Sequence, residues 1–337
     1  MSTSARSVSS GLSGSLPWER LLELYRAMLL ARMVDERGNI LNRQGRLHFI
    51  VPTQGHEGAQ VGVAFAMKVG TDYLLSYYRS APMVLALGMS ARDVFLNLFG
   101  RSEDPSGGGT NVPGQFASPS LRIVSTSNVI ATQILHAVGV GMAVKYRMEP
   151  AVAVTTFGEG STSAGAFHEA LNWAGVHRLP VVFVCENNGY AVSVPQRLQM
   201  PIEDVAERAG GYGMPGVVVD GSDVLAVYEA ATAAIERARR GEGPTLIEAK
   251  VERLLAHSSA DDDGRYRPTG EIERARQLRD PVELFRRRLL ESGALSEAAD
   301  ARLRNEVGAQ VEQAADSAES SANAPHEEAL RHVYAEG

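Results

Sequence analysis

Two apolar runs, AVAVTTF at 151–157 and VVFVCE at 181–186, flank an amphipathic segment, AGAFHEALNWAGV at 164–176. Strands that read as nearly continuous apolar runs, without alternation, are buried on both faces, and such strands belong to parallel sheets covered by helices. The rest of the chain repeats the pattern. HEGAQVGVAFAM, ARDVFLNLFG, the stretch 129–145, EDVAERAGGYG and LAVYEAATAAIERARR read as helices; DYLLSYYR, VVVD and TLIEAKVE read as strands or strand-then-turn. This alternation predicts an α/β fold with a mostly parallel sheet and helices on both faces. A long amphipathic helix over Trp18–Arg43 precedes it, and Arg-, Glu- and Ala-rich helices follow it to about Ser317, as N-terminal and C-terminal helical extensions. The expected organisation is a disordered tail over 1–17, one domain over 18–317 and a C-terminal tail over 318–337.

The ends of the two apolar runs carry the first chemical signal. Glu159 lies between Gly158 and Gly160 just past the first run, and Asn188 lies just past the second, 29 positions on. A strand–helix–strand connection returns the chain to the same edge of a parallel sheet, so these two residues are expected side by side at the edge where ligands bind. A carboxylate and an amide oxygen there form a hard-oxygen site of the kind Mg²⁺ takes, completed by phosphate oxygens. Gly158 and Gly160 permit a tight turn, and Ser161 opens a helix whose N-terminus attracts anions.

Composition narrows the function classes. The 337 residues are 44% hydrophobic, and 33 Lys plus Arg stand against 40 Asp plus Glu, a formal charge of −7. With no long basic run, nothing points to nucleic acid or an anionic membrane. The most apolar stretch, 129–144, is interrupted by Thr132, Gln133 and His136 and falls short of the roughly 20 residues of a membrane span. The lone Cys185 has no internal disulfide partner, which fits a reducing compartment and a cytoplasmic location.

GEG followed by ENNGYAVS resembles the thiamine diphosphate fingerprint, with Glu where Asp is commoner. QGRLHF, GHEGAQVG, SYYRS, ATQILHAVG, VDGSDVLAVYEA and AHSSADDDGRYR follow in the order of one family. Over roughly residues 18–315 the chain is similar to the alpha subunit of the decarboxylating component of 2-oxo acid dehydrogenase complexes, above all the branched-chain type. The resemblance implies a three-layer α/β/α thiamine diphosphate-binding fold. It implies Mg²⁺ held by Glu159, the Asn188 side chain and the Tyr190 main-chain oxygen. Tyr78 and Arg79 would bind the diphosphate; Asn128 and Ile130 would meet the aminopyrimidine; Ser127, Thr132 and Gln133 match a potassium site of some relatives. His257 matches a catalytic histidine of the active site, and His48 and Phe49 are candidate pocket liners. The resemblance also implies a beta subunit in a heterotetramer of two alpha and two beta chains, a lipoyl-bearing transacylase partner and a small 2-oxo acid substrate.

Some positions depart from the pattern. Glu159 in place of Asp is shared with branched-chain relatives, whereas Glu186 stands where some of those relatives have an arginine near the diphosphate. Ala256 replaces a second histidine. Ser258 and Ser259 resemble a segment phosphorylated in mitochondrial relatives, which on its own assigns no regulation here. His56, His136, His168 and His177 read as packing or surface histidines, Cys185 as core, and Gly107–Gly109 as loop. The polar loop 257–270 buries little apolar surface and is expected to order on ligand binding. A pyruvate or acetoin dehydrogenase alpha subunit is the near alternative, and a non-catalytic nucleotide-binding scaffold the distant one. A nicotinamide enzyme fits poorly, since no G-x-G-x-x-G opens a helix after the first strand.

Overall fold

The computed structural model of the chain describes residues 6–8, 16–125 and 127–331. Six strands, β1 (Arg6–Val8), β2 (Tyr73–Leu75), β3 (Ala153–Gly158), β4 (Val181–Asn187), β7 (Gly216–Asp220) and β8 (Thr245–Lys250), form one sheet in the order β1-β7-β8-β4-β3-β2, every neighbouring pair parallel. Between β4 and β7 a short antiparallel ribbon, β5 (Tyr190–Ala191) with β6 (Val194–Pro195), stands outside the sheet. The helices are α1 (Trp18–Arg43), α2 (Glu57–Ala66), α3 (Ala81–Ala86), α4 (Ala91–Phe99), α5 (Thr132–Arg147), α6 (Gly165–Val176), α7 (Val224–Arg239), α8 (Glu271–Arg279), α9 (Pro281–Glu291) and α10 (Glu297–Glu319).

Handedness decides which face each helix covers. The steps β2 to β3 and β3 to β4 run one way along the sheet through α5 and α6, and the step β7 to β8 runs back through α7. Right-handed crossovers in opposite directions lie on opposite faces. Accordingly α5 and α6 build one core with Ala153, Phe157, Phe183 and Cys185, while α1, α2, α4 and α7 build the other with Val154, Val182 and Val184. The central strands carry apolar residues at successive positions because alternate residues feed both cores.

Close approach on the second face depends on glycine. A Cβ on Gly62 of α2 would lie 2.8 Å from the Val224 carbonyl oxygen and 2.9 Å from Val227 of α7, and one on Gly58 would lie 2.6 Å from the Gly221 carbonyl oxygen. The outer helices are tied on by buried polar bonds. Arg32 of α1 reaches Glu57 at 2.6 Å and forks onto Asp280 with two bonds of 2.9 Å, and the Tyr25 hydroxyl donates to Asp300 at 2.6 Å.

Several expectations are corrected in detail. The segment expected as a disordered tail contains β1, whose three residues pair with Val217–Val219 on the open edge of β7; the rest of residues 1–15 lies outside the described residues. α5 starts at Thr132 rather than 129, because Ala131 adopts a left-handed φ of 70°. The helix expected over 203–213 is a 3-10 turn, Val205–Tyr212, which ends among Gly210, Gly211 and Gly213. The C-terminal stretch expected as a tail docks where the Ala322 carbonyl accepts the Ser102 amide and Asn323 meets Arg101. No described helix is long and apolar enough to cross a membrane.

Overpacking at the α2–α7 contact is expected to lower stability by about 1–3 kcal/mol for Gly62→Val. Gly308→Ala, in α10 where a Cβ meets open space, is expected to raise it by about 0.5–1 kcal/mol. Thermal melts of the two variants should move in opposite directions; a Gly62→Val melting temperature at or above the parent's would contradict the close approach.

Candidate active site

A cavity of about 160 Å³ opens at the C-terminal ends of β2, β3 and β4. Its wall is made by Tyr77, Tyr78 and Arg79 after β2, Ser127, Asn128, Val129, Ile130 and Gln133 around the start of α5, Gly158, Glu159, Gly160 and Ser161 after β3, Asn188, Tyr190, Ala191 and Val192 after β4, and His257 after β8. The sequence-predicted residues Tyr78, Arg79, Asn128, Ile130, Gly158, Glu159, Gly160, Ser161, Asn188, Tyr190 and His257 all share this cavity.

The parallel register of β3 and β4 sets Gly158 opposite Glu186, so the residues just beyond them converge. The Asn188 amide donates to Glu159 Oε2 at 3.3 Å, and the other carboxylate oxygen, Oε1, is buried with no hydrogen-bond partner among the described residues. Burial pushes the Glu159 carboxyl above its usual range, opposed by the Asn188 amide and by Arg253. The loop is pre-turned: Gly189 has a φ of 79°, and the Asn188 side-chain oxygen accepts the Tyr190 amide at 3.2 Å. Among the described residues no cluster of three His, Cys, Asp or Glu side chains could enclose a metal ion. A cation at Glu159 therefore needs amide, main-chain and ligand oxygens to fill its shell, the ligand mix that suits Mg²⁺.

Opposite this acid lies a cationic wall. Arg79 is 2% exposed; one guanidinium nitrogen donates to the Pro52 carbonyl, the other to the His257 carbonyl and to His257 Nδ1, both at 3.2 Å. The Pro52 segment is itself pinned by Asp35, which accepts the Thr53 amide at 2.7 Å and Gln54 Nε2 at 2.9 Å, and whose carboxyl burial pushes up to about 6. Since an arginine only donates, His257 Nδ1 is an acceptor, and the neutral ring carries its proton on Nε2. Burial, with Arg79 and Arg253 nearby, lowers the His257 pKa to about 4.

Sequence reasoning missed Arg253. It is 2% exposed, donates to the Val192 carbonyl at 3.0 Å and to the Tyr266 hydroxyl at 3.1 Å, and stacks over Tyr190 with its charge centre 5.5 Å from the ring centroid. Its Nε and Nη1 have no partner among the described residues. Its only sequence signal is an arginine just beyond an apolar strand. Tyr266 in turn donates to Asp261, which accepts the His257 amide at 2.8 Å. The loop 257–270, expected to take its order from a ligand, thus has a hydrogen-bond network of its own. Two non-glycine residues with left-handed φ sit at the cavity, Val192 on the wall (φ 54°) and Ala131 beside it (φ 70°). Such strain is held in place by surrounding structure and clusters at functional sites.

Other expectations separate. His48 is exposed and Phe49 half-buried, and neither is on the cavity wall. Ser127 and Gln133 reach the wall, Gln133 with its amide donating to the Thr156 carbonyl at 3.1 Å, whereas Thr132 does not. Glu186, where some relatives have an arginine at the ligand, is off the wall and pairs with His56 at 2.6 Å. Cys185 is a buried core residue.

Residues 25–327 match the family described as "Dehydrogenase E1 component". The chain is 48% identical over 317 residues to the 2-oxoisovalerate dehydrogenase subunit alpha of Bacillus subtilis (strain 168), covering 94% of this chain and 96% of that one. It is 38% identical over 296 residues to the pyruvate dehydrogenase E1 component subunit alpha of the same organism, covering 88% and 77%. The corresponding subunit of Staphylococcus aureus (strain Mu50 / ATCC 700699) is 38% identical over 291 residues, covering 86% and 75%.

The depressed His257 pKa gives a signed prediction. Between its ordinary 6.5 and about 4 the unfolded chain binds more protons at this residue than the folded one, so its contribution is complete above pH 6.5 and fades as pH falls toward 4. In His257→Asn the melting temperature should decline less steeply across that window than in the parent. Parallel curves would contradict the burial of this ring beside Arg79.

Proposed function

The chain belongs to the dehydrogenase E1 component family, and from that footing we propose that it is the alpha subunit of a thiamine-diphosphate- and Mg²⁺-dependent enzyme that oxidatively decarboxylates a branched-chain 2-oxo acid and passes the acyl group to lipoyl on a transacylase. The observation that carries this reading is the bare, buried Glu159 oxygen beside the Asn188 loop, faced by Arg79 and His257. Identity of 48% to the subunit named for 2-oxoisovalerate, against 38% to those named for pyruvate, favours the branched-chain substrate.

The residues present fit that cofactor. Glu159 Oε1, the Asn188 side chain and the Tyr190 main-chain oxygen would hold Mg²⁺; the main chain at Gly158, Gly160 and Ser161 would border the diphosphate, with Gly160 also packed against Ala191, and Tyr78 and Arg79 would donate to it. A Cβ on Gly158 would meet nothing within 4 Å, as expected of a position facing a ligand space. Asn128 and Ile130 would contact the aminopyrimidine, and Ser127, Thr132 and Gln133 would hold a potassium ion behind them. When bound, the cofactor supplies the carbanion that attacks the 2-oxo carbon and the electron sink for loss of CO₂. His257 would present Nε2–H to the developing oxygen, held in that tautomer by Arg79. The family resemblance assigns the carboxylate opposite the pyrimidine to a beta chain.

A second feature supports that partner. Among the described residues sixteen large hydrophobic side chains are exposed, and eleven of them lie between Val129 and Leu198, on α5, α6, the β5–β6 ribbon and the segments that flank them. They include Met142 at 44%, Tyr146 at 88%, Trp173 at 47% and Val176 at 69% exposure. Exposed apolar side chains concentrated on packed helices in this way suit an interface. Val129 and Ile130 are at once exposed and on the cavity wall, so a partner that covered them would also border the site.

Calorimetry with thiamine diphosphate on the alpha–beta complex tests the site. Glu159→Ala and Asn188→Ala are each expected to weaken Mg²⁺-dependent binding by about tenfold or more, as loss of a charged or hard-oxygen contact does. Undiminished binding in both variants would reject the site. A substrate panel tests the class, and pyruvate outperforming 3-methyl-2-oxobutanoate would shift it to the pyruvate type.

A further inference from the structure

The arm that carries Tyr78 and Arg79 and the loop that carries Asn188 are joined beneath the cavity by one carboxylate. Glu186 is 1% exposed, lies near the end of β4 two residues before Asn188, and is absent from the cavity wall. One of its oxygens, Oε2, accepts the Tyr77 hydroxyl at 2.9 Å and Gln60 Nε2 at 2.8 Å, and stands 2.6 Å from His56 Nδ1. Gln60 extends the junction in both directions along the arm: its Nε2 also donates to the Arg79 carbonyl at 2.8 Å, and its Oε1 accepts the Met83 amide at 3.2 Å. The residue before Tyr78 and the backbone of Arg79 are therefore both fastened to β4 through this side chain.

We propose that Glu186 is a positioning residue for cofactor binding: without touching the ligand, it collects Tyr77, Gln60 and His56 on a single buried oxygen and so holds the Tyr78–Arg79 arm in register with the Glu159–Asn188 loop. The inference rests on the thiamine diphosphate reading of the cavity. The chemistry follows from where the donors sit. A buried polar group left without its acceptor loses its bond and keeps its desolvation cost, so removing the Glu186 carboxylate frees the arm to turn its donors elsewhere. The work of Glu186 is accepting these bonds, which a glutamine oxygen at the same place can also do; its other oxygen, Oε1, has no partner among the described residues.

The test uses the alpha–beta complex, with direct calorimetric titration of thiamine diphosphate at saturating Mg²⁺ and the melting temperature of the cofactor-free complex read alongside. Glu186→Ala is expected to raise the cofactor dissociation constant by about tenfold or more, Tyr77→Phe by about threefold, and Glu186→Gln to restore it to within about threefold of the parent. The KM for the 2-oxo acid should stay put, and activity lost in Glu186→Ala should return as cofactor concentration is raised. Parent-like affinity in both Glu186→Ala and Tyr77→Phe would overturn the proposal, as would a Glu186→Gln variant as weak as Glu186→Ala. If Glu186→Ala fails to fold, Tyr77→Phe, which loses only one hydroxyl, decides alone. A parent complex that shows no Mg²⁺-dependent binding of thiamine diphosphate would instead remove the reading on which the inference rests.

Discussion

The parallel pairing of β3 with β4 is the constraint from which the cavity follows. It places Gly158, the last residue of β3, across from Glu186, so Glu159 and, one residue past the end of β4, Asn188 emerge on the same edge and meet. Parallel pairing in turn requires a crossover, and α6 supplies it while burying the other side of the same strands. The apolar runs that force the strands inward also fix where their polar ends emerge. Site and core are thus two consequences of one register.

Charge at the site is separated rather than neutralised. Glu159 has a bare oxygen, while Arg79 on the cavity wall and Arg253, bonded to the wall residue Val192, are tied to carbonyls, a ring nitrogen and a hydroxyl instead of to carboxylates. Elsewhere the protein does the opposite, pairing Arg32 with Glu57 and Asp280 and Arg239 with Asp72. Buried ions without direct counterparts are costly, and they persist where surrounding bonds hold them for a ligand of complementary charge. Burial and the nearby Arg79 and Arg253 charges depress the His257 pKa, and the bond from Arg79 fixes its proton on Nε2.

Much of this was legible in the residues. α1 occupies Trp18–Arg43 as its helical spacing predicts, running on through Gly38, and the residues after each apolar run identify the cavity because strand ends are where an α/β sheet binds ligands. What escaped depends on the order of strands in the sheet. β8 pairs with β4 although β5, β6 and β7 intervene in sequence, so nothing local announces that Arg253 will act on Glu159, and His257 is reached through the family resemblance alone. Glu186 reads as the last residue of a strand, and its role appears only once α2 and the arm after β2 are laid over it. α3 is too short, with Pro82 in its first turn, to register as a periodicity, and β1 is an edge strand of three residues.

The apolar layer over α5 and α6 has a consequence for how the chain must be supplied. Water-facing Met142, Tyr146, Trp173 and Val176 lose exposed apolar area against any apolar surface, another copy of this chain included, and which one covers them is set by mass action. A cell that translated this chain in excess would drive copies onto one another through that layer. Matched synthesis of whatever caps it is therefore a demand written into the outer turns of two helices.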